Sequence, residues 1–252
     1  MSGTTTFTKH HIEVKSEELL KELRHLKGLR YLSLRWISRI LELPPSILKL
    51  KHLNVLDLKA CHNLETLPND ISPLRNIRKL DLSQCYLLDK MTKGIEKLPH
   101  LKILKGFVIG NSRKTPCRIS ELENLKNLER LSIHIGRETV IQEGEFESLQ
   151  RLSNLEHLKI SWGVFHKKYS YILIILPSSL KKLHLEGFPG QVIPEWLKPS
   201  ELLQGLKVLN ITGGKLKSMN HGEHNSHWSV EILRLKRIWK LTYQICMSCF
   251  LR

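Results

Sequence analysis

One hydrophobic pattern, recurring about every 24 residues, constrains the fold of this sequence more than any other feature. The stretch LKHLNVLDLKACHNL at 50–64 is followed 24 residues later by a second copy of the same apolar spacing. One frame position falls at Leu32, Leu56, Leu80, Leu104, Leu131, Leu158, Leu183, Leu209 and Leu233. Self-similarity at a fixed period of this length is the signature of a repeat architecture, in which each repeat is one structural unit.

The frame L-x-x-L-x-x-L-x-L predicts the shape of each unit. In x-L-x-L-x the side chains alternate, so both leucines point to one face of a strand. A single strand cannot bury them, but stacked coils can, with parallel strands about 4.8 Å apart. We therefore expect an α/β leucine-rich-repeat solenoid, a horseshoe of about nine coils with a concave parallel sheet. The frame weakens at Leu104, within LKGFVIG, and again near 164–175.

The cysteines indicate buried turns rather than disulfides. Cys61 and Cys85 lie three residues past a strand leucine, where leucine-rich repeats place Asn or Cys to satisfy backbone groups of the next coil. A redox pair or metal site is the alternative, but free Cys usually behaves as a small buried apolar group. The total of five cysteines is odd and has no framework spacing. A reducing, cytoplasmic setting is expected.

Three segments are predicted from the extent of the frame. Residues 1–25 form a short N-terminal segment in which Ser16 caps a helix, residues 26–236 form the solenoid, and residues 237–252 are a divergent tail. The N-terminus lacks the apolar core of a signal peptide. The longest apolar run, YSYILIILP, is too short to span a bilayer.

No constellation of residues predicts catalysis, a cofactor, a metal or a small-molecule substrate. Gly213, Gly214 and Lys215 form only a fragment of a phosphate-binding P-loop. Three histidines in HGEHNSH could bind zinc if they lay on a helix, but the glycine, asparagine and serine between them favour a loop; they are His221, His224 and His227. Cys246 and Cys249 are a lone C-x-x-C, which is weak evidence for metal or redox chemistry.

The variable strand positions carry the functional prediction. The net charge of +16 argues for attraction to acidic partners. The predicted partner-binding residues of the concave face are Arg35, Lys59, Lys79, Lys105, Arg130, Lys159, Lys182, His184 and Arg234. A basic stripe from Lys79 to Lys182 is mildly unfavourable on a sheet, so we hypothesise that it meets an acidic protein surface; the alternative is a merely solvated stripe. Reversing Lys105 and Lys159 is then expected to abolish capture without lowering the melting temperature.

Two tryptophans each stand just past a predicted strand. Trp36 and Trp162 could anchor a partner, because Trp is enriched at interface hot spots. The structural alternative is a ring packed over the edge of a coil.

Two stretches carry a resemblance to a known family. LRYLSLRWISRILELPPSILKLKHLNVLDLKACHNLETLPNDI at 29–71 has the L-P-x-x-I-x-x-L-x-x-L-x-x-L-x-L rhythm, and LKILKGFVIGNSRKTPCRISELENLKNLERLSI contains L-x-x-L-x-x-F-V-x-G followed by I-x-x-L-x-x-L-x-x-L. Over residues 26–236 the chain resembles the leucine-rich-repeat region of plant disease-resistance proteins of the coiled-coil nucleotide-binding class. The second stretch is the more specific, since intracellular scaffold repeats share the first.

The resemblance implies recognition of a pathogen effector, or of a host protein that the effector modifies. The nucleotide-binding switch domain of that family has no counterpart in these residues, so a fragment, a truncated product or a bare-repeat relative is expected. The alternative is an intracellular scaffold for signalling proteins. Nucleic acid is an unlikely partner, because the concave positions lack an aromatic ladder on which bases stack.

Overall fold

The computed structural model describes residue 20 and residues 22–110, 117–136, 139–163, 166–198, 203–219 and 229–238. The predicted cap at Ser16, the histidines of HGEHNSH and the Cys246–Cys249 pair lie outside the described residues. No helix among the residues described is long and apolar enough to cross a membrane.

In the described part of the chain, nine strands form one parallel sheet in chain order, as the repeat predicted. The strands are β1 (Tyr31–Ser33), β2 (Val55–Asp57), β3 (Lys79–Asp81), β4 (Ile103–Ile109), β5 (Arg130–Ile135), β6 (His157–Trp162), β7 (Lys182–Glu186), β8 (Val208–Thr212) and β9 (Ile232–Lys236). Each strand pairs only with the strands of the neighbouring coils, so the fold is a leucine-rich-repeat solenoid.

The frame leucines identified in the sequence lie in register across the whole sheet. Leu32 pairs with Leu56, Leu131 with Leu158, and the remaining pairs continue the row to Leu233. From β1 to β8 these leucines are buried, and Leu233 at the end of the row is partly buried. Burying such a side chain contributes roughly 1.5–3 kcal/mol before chain entropy is counted, which explains why the period is kept while the residues between vary.

Short 3-10 helices form a second row on the convex side of the coils. They are η1 (Leu23–His25), η2 (Pro45–Lys49), η3 (Ile95–Lys97), η4 (Ile119–Asn124), η5 (Glu147–Arg151), η6 (Lys167–Tyr171) and η7 (Glu195–Leu197). In η2 proline occupies the first position, where its missing N–H costs no hydrogen bond. The sheet and the helix row enclose one continuous hydrophobic core.

The cysteine turns are buried, as the spacing predicted, but their hydrogen bonds run backwards along the chain. The Cys61 thiol donates to the carbonyl of Leu34 at 3.0 Å, and the Cys85 thiol donates to the carbonyl of Leu58 at 3.2 Å. Both acceptors belong to the preceding coil rather than the next one. Burial is the main cause that raises the pKa of Cys61 to about 11 and of Cys85 to about 12. Both are therefore neutral, structural thiols.

The weakened frame at Leu104 is a β-bulge. The pairing of β4 with β5 shifts between Leu104 and Phe107, and Phe107 is fully buried. Gly106, between them, has a φ of +75°, and a Cβ there would lie 2.4 Å from the carbonyl carbon and oxygen of Leu82. Only glycine fits this backbone, and the bulge lets β4 extend over seven residues.

Candidate functional site

The residues between the core leucines form the concave face of the sheet, and the register sorts them into rows. One row contains Lys79, Ile103, Arg130, His157 and Lys182 at the first position of successive strands. A second row contains Asp57, Asp81 and Lys105, is interrupted by the register shift between β4 and β5, and continues through Ser132, Lys159, His184, Asn210 and Arg234. The predicted basic residues from Lys79 to Lys182 therefore lie on successive neighbouring strands, as the sequence indicated, whereas Arg35 and Lys59 follow their strands and Arg234 is on the last one.

Two buried carboxylates lie beneath the N-terminal half of this face. Asp57 and Asp81 are paired in register on β2 and β3, and both are almost fully buried. The Oδ1 atom of Asp57 accepts the backbone N–H of Lys59 at 3.2 Å, and Oδ1 of Asp81 accepts that of Ser83 at 3.1 Å. Adjacent buried carboxylates repel each other, so this pair requires cations close by.

Three of the predicted binding residues supply those cations. The Nζ atom of Lys79 lies 3.2 Å from Oδ2 of Asp57 and 3.7 Å from Oδ2 of Asp81. Arg35 approaches Asp57 at 3.7 Å, and Lys105 approaches Asp81 at 3.9 Å. Folding therefore does give a reason to place Lys79 and Lys105 here, contrary to the sequence-based argument. The missed residues were Asp57 and Asp81, and their signal was the repeated L-D-L at 56–58 and 80–82.

The described C-terminal half of the face contains His134, His157 and His184 together with an ion pair, and the Nδ1 atom of His134 lies 3.1 Å from Oγ of Ser161. Lys159 forms an ion pair with Glu186, and the Nε2 atom of His184 lies 3.1 Å from Oγ1 of Thr212. Burial, followed by Lys159, lowers the pKa of His184. Burial, followed by Arg130 and Lys182, lowers the pKa of His157. Burial, reinforced by the cations around them, thus favours the neutral form of the His157 and His184 imidazoles.

A cavity of about 340 Å³ lies where the two halves meet. Its basic lining residues are Lys59, Lys105, Arg130, Lys159 and Lys182. Within the described part of the chain, Lys59, Arg130 and Lys182 form no ion pair with a carboxylate. Arg234 lies apart from this cavity, exposed on the last strand.

The two tryptophans have different environments. Trp162 is the last residue of β6 and is buried, with its ring edge-on to Phe188 at 5.4 Å between centroids. It is therefore a core residue, which matches the structural alternative. Trp36 is 50% exposed and lies at the edge of the sheet.

An aromatic ladder, which the sequence reading did not find, runs along that edge through Trp36, His62 and Tyr86. The Trp36 ring meets His62 edge-on at 6.2 Å, and His62 stacks on Tyr86 at 5.3 Å with an interplanar angle of 7°. Because these rings already contact one another, no base fits between them. The ladder closes the edge of the first coils and does not provide the open stacking platforms that single-stranded nucleic acid requires.

A group with metal-ligand chemistry lies at the start of η4. The ligand atoms of Glu96, Cys117 and Glu121 lie within 4.8 Å of one another. However, Glu121 already accepts the backbone N–H of Arg118 at 2.8 Å, and burial strongly raises the pKa of the Cys117 thiol. A neutral thiol is a poor metal ligand, so this group is interpreted as part of the turn that begins η4.

A family model supports the same architecture. A profile described as "Leucine-rich repeat region" matches residues 8–221. No curated protein matches the chain. Among solved structures, the chain is similar to a leucine-rich-repeat protein of Leptospira interrogans, with 20% identity, a TM-score of 0.38, and coverage of 88% of this chain and 70% of that one.

A second similar structure comes from a plant. It is the ectodomain of the membrane receptor kinase GASSHO1/SCHENGEN3 from Arabidopsis thaliana, in complex with CASPARIAN STRIP INTEGRITY FACTOR 2. The identity is 17% and the TM-score 0.43, with coverage of 88% of this chain and 23% of that one. The repeat, the nine-stranded sheet and the profile agree with one another, and the chain belongs to the leucine-rich repeat region family.

Proposed function

We propose that the chain is the protein-recognition module of a plant intracellular immune receptor. In this proposal the solenoid of residues 26–236 acts in the cytoplasm and binds a pathogen effector, or a host protein that the effector modifies. In a complete receptor of this kind, binding would shift the equilibrium of a nucleotide-binding switch domain through differential contacts. The residues of this chain supply only the binding step.

The observation that carries the proposal is the unneutralised positive charge at the centre of the concave face. Arg130 and Lys182 lie on the same row of the sheet, separated by His157, and among the described residues neither has a carboxylate within 4.0 Å. The exposed carboxylate of Glu156, which pairs with Lys181, interacts with Arg130 only at longer range. Like charges beside each other on a sheet are unfavourable for folding. An acidic protein surface would complement them and speed association. The plant-receptor assignment rests on the segment at 101–128 that resembles that family.

A leucine-rich-repeat scaffold for signalling proteins is the alternative, and the fold is equally consistent with it. The genomic sequence upstream of this coding region distinguishes the two. A nucleotide-binding switch domain encoded in frame there favours the receptor, whereas its absence from the locus favours the scaffold.

Affinity capture with a matched charge control tests the binding face. The bait is the full chain, as the wild type, as an Arg130→Glu/Lys182→Glu variant, and as a Lys49→Glu/Lys97→Glu variant. Lys49 and Lys97 are exposed on the convex helices η2 and η3, so the control has the same net charge without a change on the concave face.

The extracts come from infected and uninfected plant tissue, and the captured proteins are identified by mass spectrometry. We expect the wild type and the control to retain one partner that the concave variant loses. Equal retention by all three baits would refute the concave face as the binding surface. Loss by both variants would show that general charge attraction accounts for the capture.

A further inference from the structure

We propose that the cavity at the centre of the concave face binds a compact cluster of phosphate groups. This inference deepens the proposed function, and rests on it in taking the concave face as the binding face. It adds the chemical class of the group that the cavity recognises. The juxtaposition that carries it is the set of five basic side chains that line one cavity of about 340 Å³ without any acidic side chain.

The geometry brings the cations within the span of a small ligand. Arg130 and Lys182 start strands separated by a single strand, and Lys159 lies in the next row between them. Neighbouring parallel strands are about 4.8 Å apart, so the strand spacing places Arg130 and Lys182 roughly 10 Å apart at the backbone. Side chains of this length converge readily over such a distance.

The cations at the cavity are only partly neutralised by the protein itself. Asp81 lies 3.9 Å from Lys105, and Glu186 pairs with Lys159, but both carboxylates lie outside the cavity lining. Lys59, Arg130 and Lys182 have no such partner among the residues described. At least three positive charges therefore remain for a ligand to neutralise.

Neutral donors fill the space between the cations. Ser83, Gln84 and Ser132 line the cavity together with His157 and His184, whose pKa values are lowered by burial and by the surrounding cations. A neutral imidazole still donates one N–H. The lining is therefore rich in donors, which suits a ligand composed mainly of acceptor atoms.

Phosphate matches this lining better than carboxylate does. A phosphate monoester carries a charge of about −1.5 to −2 and three strong acceptor oxygens, whereas a carboxylate carries one charge and two oxygens. In a cavity of fixed volume, phosphate neutralises more cations and satisfies more donors. Arg130 adds a planar fork of the kind that binds phosphate bidentately.

An extended nucleic acid fits the surface less well than a compact ligand. The sheet to the N-terminal side of the cavity presents charges already paired with Asp57 and Asp81. The aromatic ladder beside it is closed, with His62 and Tyr86 stacked on each other. A strand of nucleic acid would need a continuous basic track and open rings.

Calorimetric titration of the full chain tests the inference, with inorganic tripolyphosphate as the probe at about 0.15 M salt. We expect saturable binding to the wild type. Arg130→Gln and Lys182→Gln should each weaken it about 10- to 100-fold, as loss of a charge-assisted contact does. Lys49→Gln and Lys97→Gln are the control. Equal loss in the control, or no saturable binding to the wild type, would overturn the inference.

Two further arms identify the source of the phosphate and guard against misfolding. A peptide with two adjacent phosphoserines is compared with its unphosphorylated form and with its glutamate form. If tripolyphosphate binds and the phosphopeptide does not, the ligand is a small soluble phosphate ester. If the phosphopeptide binds as well, the ligand is a modified protein segment. If the glutamate peptide binds as tightly as the phosphopeptide, the phosphate class is wrong. Lys182→Arg, which keeps the positive charge, should retain the binding that Lys182→Gln loses. Circular dichroism should show that both variants are folded.

The capture experiment and the titration fail independently. If phosphate probes do not bind but the concave variant still loses a captured partner, only the phosphate inference falls. If phosphate binds but the charge variants lose no partner, the proposed recognition of a protein falls instead.

Discussion

Charge reversal at Lys105 and at Arg130 is expected to have different effects, although both belong to the stripe predicted from the sequence. The Nζ atom of Lys105 lies 3.9 Å from Oδ2 of the buried Asp81. Arg130 has no carboxylate within 4.0 Å among the described residues, and the carboxylate that it influences at longer range, Glu156, is exposed. Lys105→Glu therefore replaces an attraction with a repulsion at a carboxylate that cannot move into water. Arg130→Glu creates no such repulsion with a buried carboxylate.

The stability cost of Lys105→Glu follows from the distance between Lys105 and Asp81 and from the exposure of the Lys105 side chain. Two unit charges about 4 Å apart interact by roughly 1 kcal/mol in water and about 4 kcal/mol at the effective dielectric constant near a protein surface. The Lys105 side chain is 41% exposed, so solvent screening removes much of this energy. We expect Lys105→Glu to cost about 1–3 kcal/mol, or about 3–10 °C in melting temperature for a chain of this size. Arg130→Glu should change stability by less than about 0.5 kcal/mol.

Thermal unfolding followed by circular dichroism measures the difference, and a double-mutant cycle assigns it. Asp81→Asn keeps the oxygen that accepts the Ser83 N–H but removes the charge. Lys105→Glu should therefore be much less destabilising in the Asp81→Asn background. Equal melting temperatures for Lys105→Glu and Arg130→Glu, or a cycle without coupling, would refute the structural role assigned to Lys105. The capture test expected from the sequence, with Lys105 and Lys159 reversed, would confuse stability with binding.

Three further predictions concern the bulge, the half-buried His134 and the thiols. Gly106→Ala should lower the free energy of unfolding by about 2–4 kcal/mol, because of left-handed backbone strain and overpacking. Gly28 has open space around it, so Gly28→Ala should have little effect. Denaturant titration of the two variants measures the difference. Burial lowers the pKa of His134 below 6.5, so the unfolded chain binds more protons and stability should fall from about pH 6.5 down to the folded pKa, with a smaller slope in His134→Gln. Cys61 and Cys85, with pKa values of about 11 and 12, should resist iodoacetamide at pH 8 until the chain is unfolded, as peptide mass spectrometry can show.

The register of the sheet could be predicted because each coil buries an apolar residue, usually leucine, at the same position of the repeat. Every coil must bury its frame leucine against those of its neighbours, so the positions from Leu32 to Leu233 follow directly from the period. The bulge at Gly106 was visible only as a broken frame. Its geometry depends on the close approach of a neighbouring coil, 24 residues earlier in the chain, at Leu82.

The role of each basic residue could be predicted only in part. Asp81 and Lys105 occupy the same frame position in successive repeats, so their proximity was present in the sequence. The near-complete burial of Asp81 was not, because it depends on how the surrounding side chains cover the carboxylate. The closed aromatic ladder was missed for a similar reason, since Trp36, His62 and Tyr86 lie beyond the strands and meet only through their turns.

The burial of Asp57 and Asp81 also determines where on the concave face a partner gains most from binding. An acidic group that contacts Lys79 must compete with two carboxylates already within 4 Å of its ammonium group. Drawing Lys79 away would leave those carboxylates buried and unpaired, which is strongly destabilising. At Arg130 and Lys182 the same acidic group breaks no ion pair with a buried carboxylate among the described residues. The N-terminal half of the stripe therefore stabilises the fold, and we expect selectivity for an acidic partner to depend on the surface from β5 to β7.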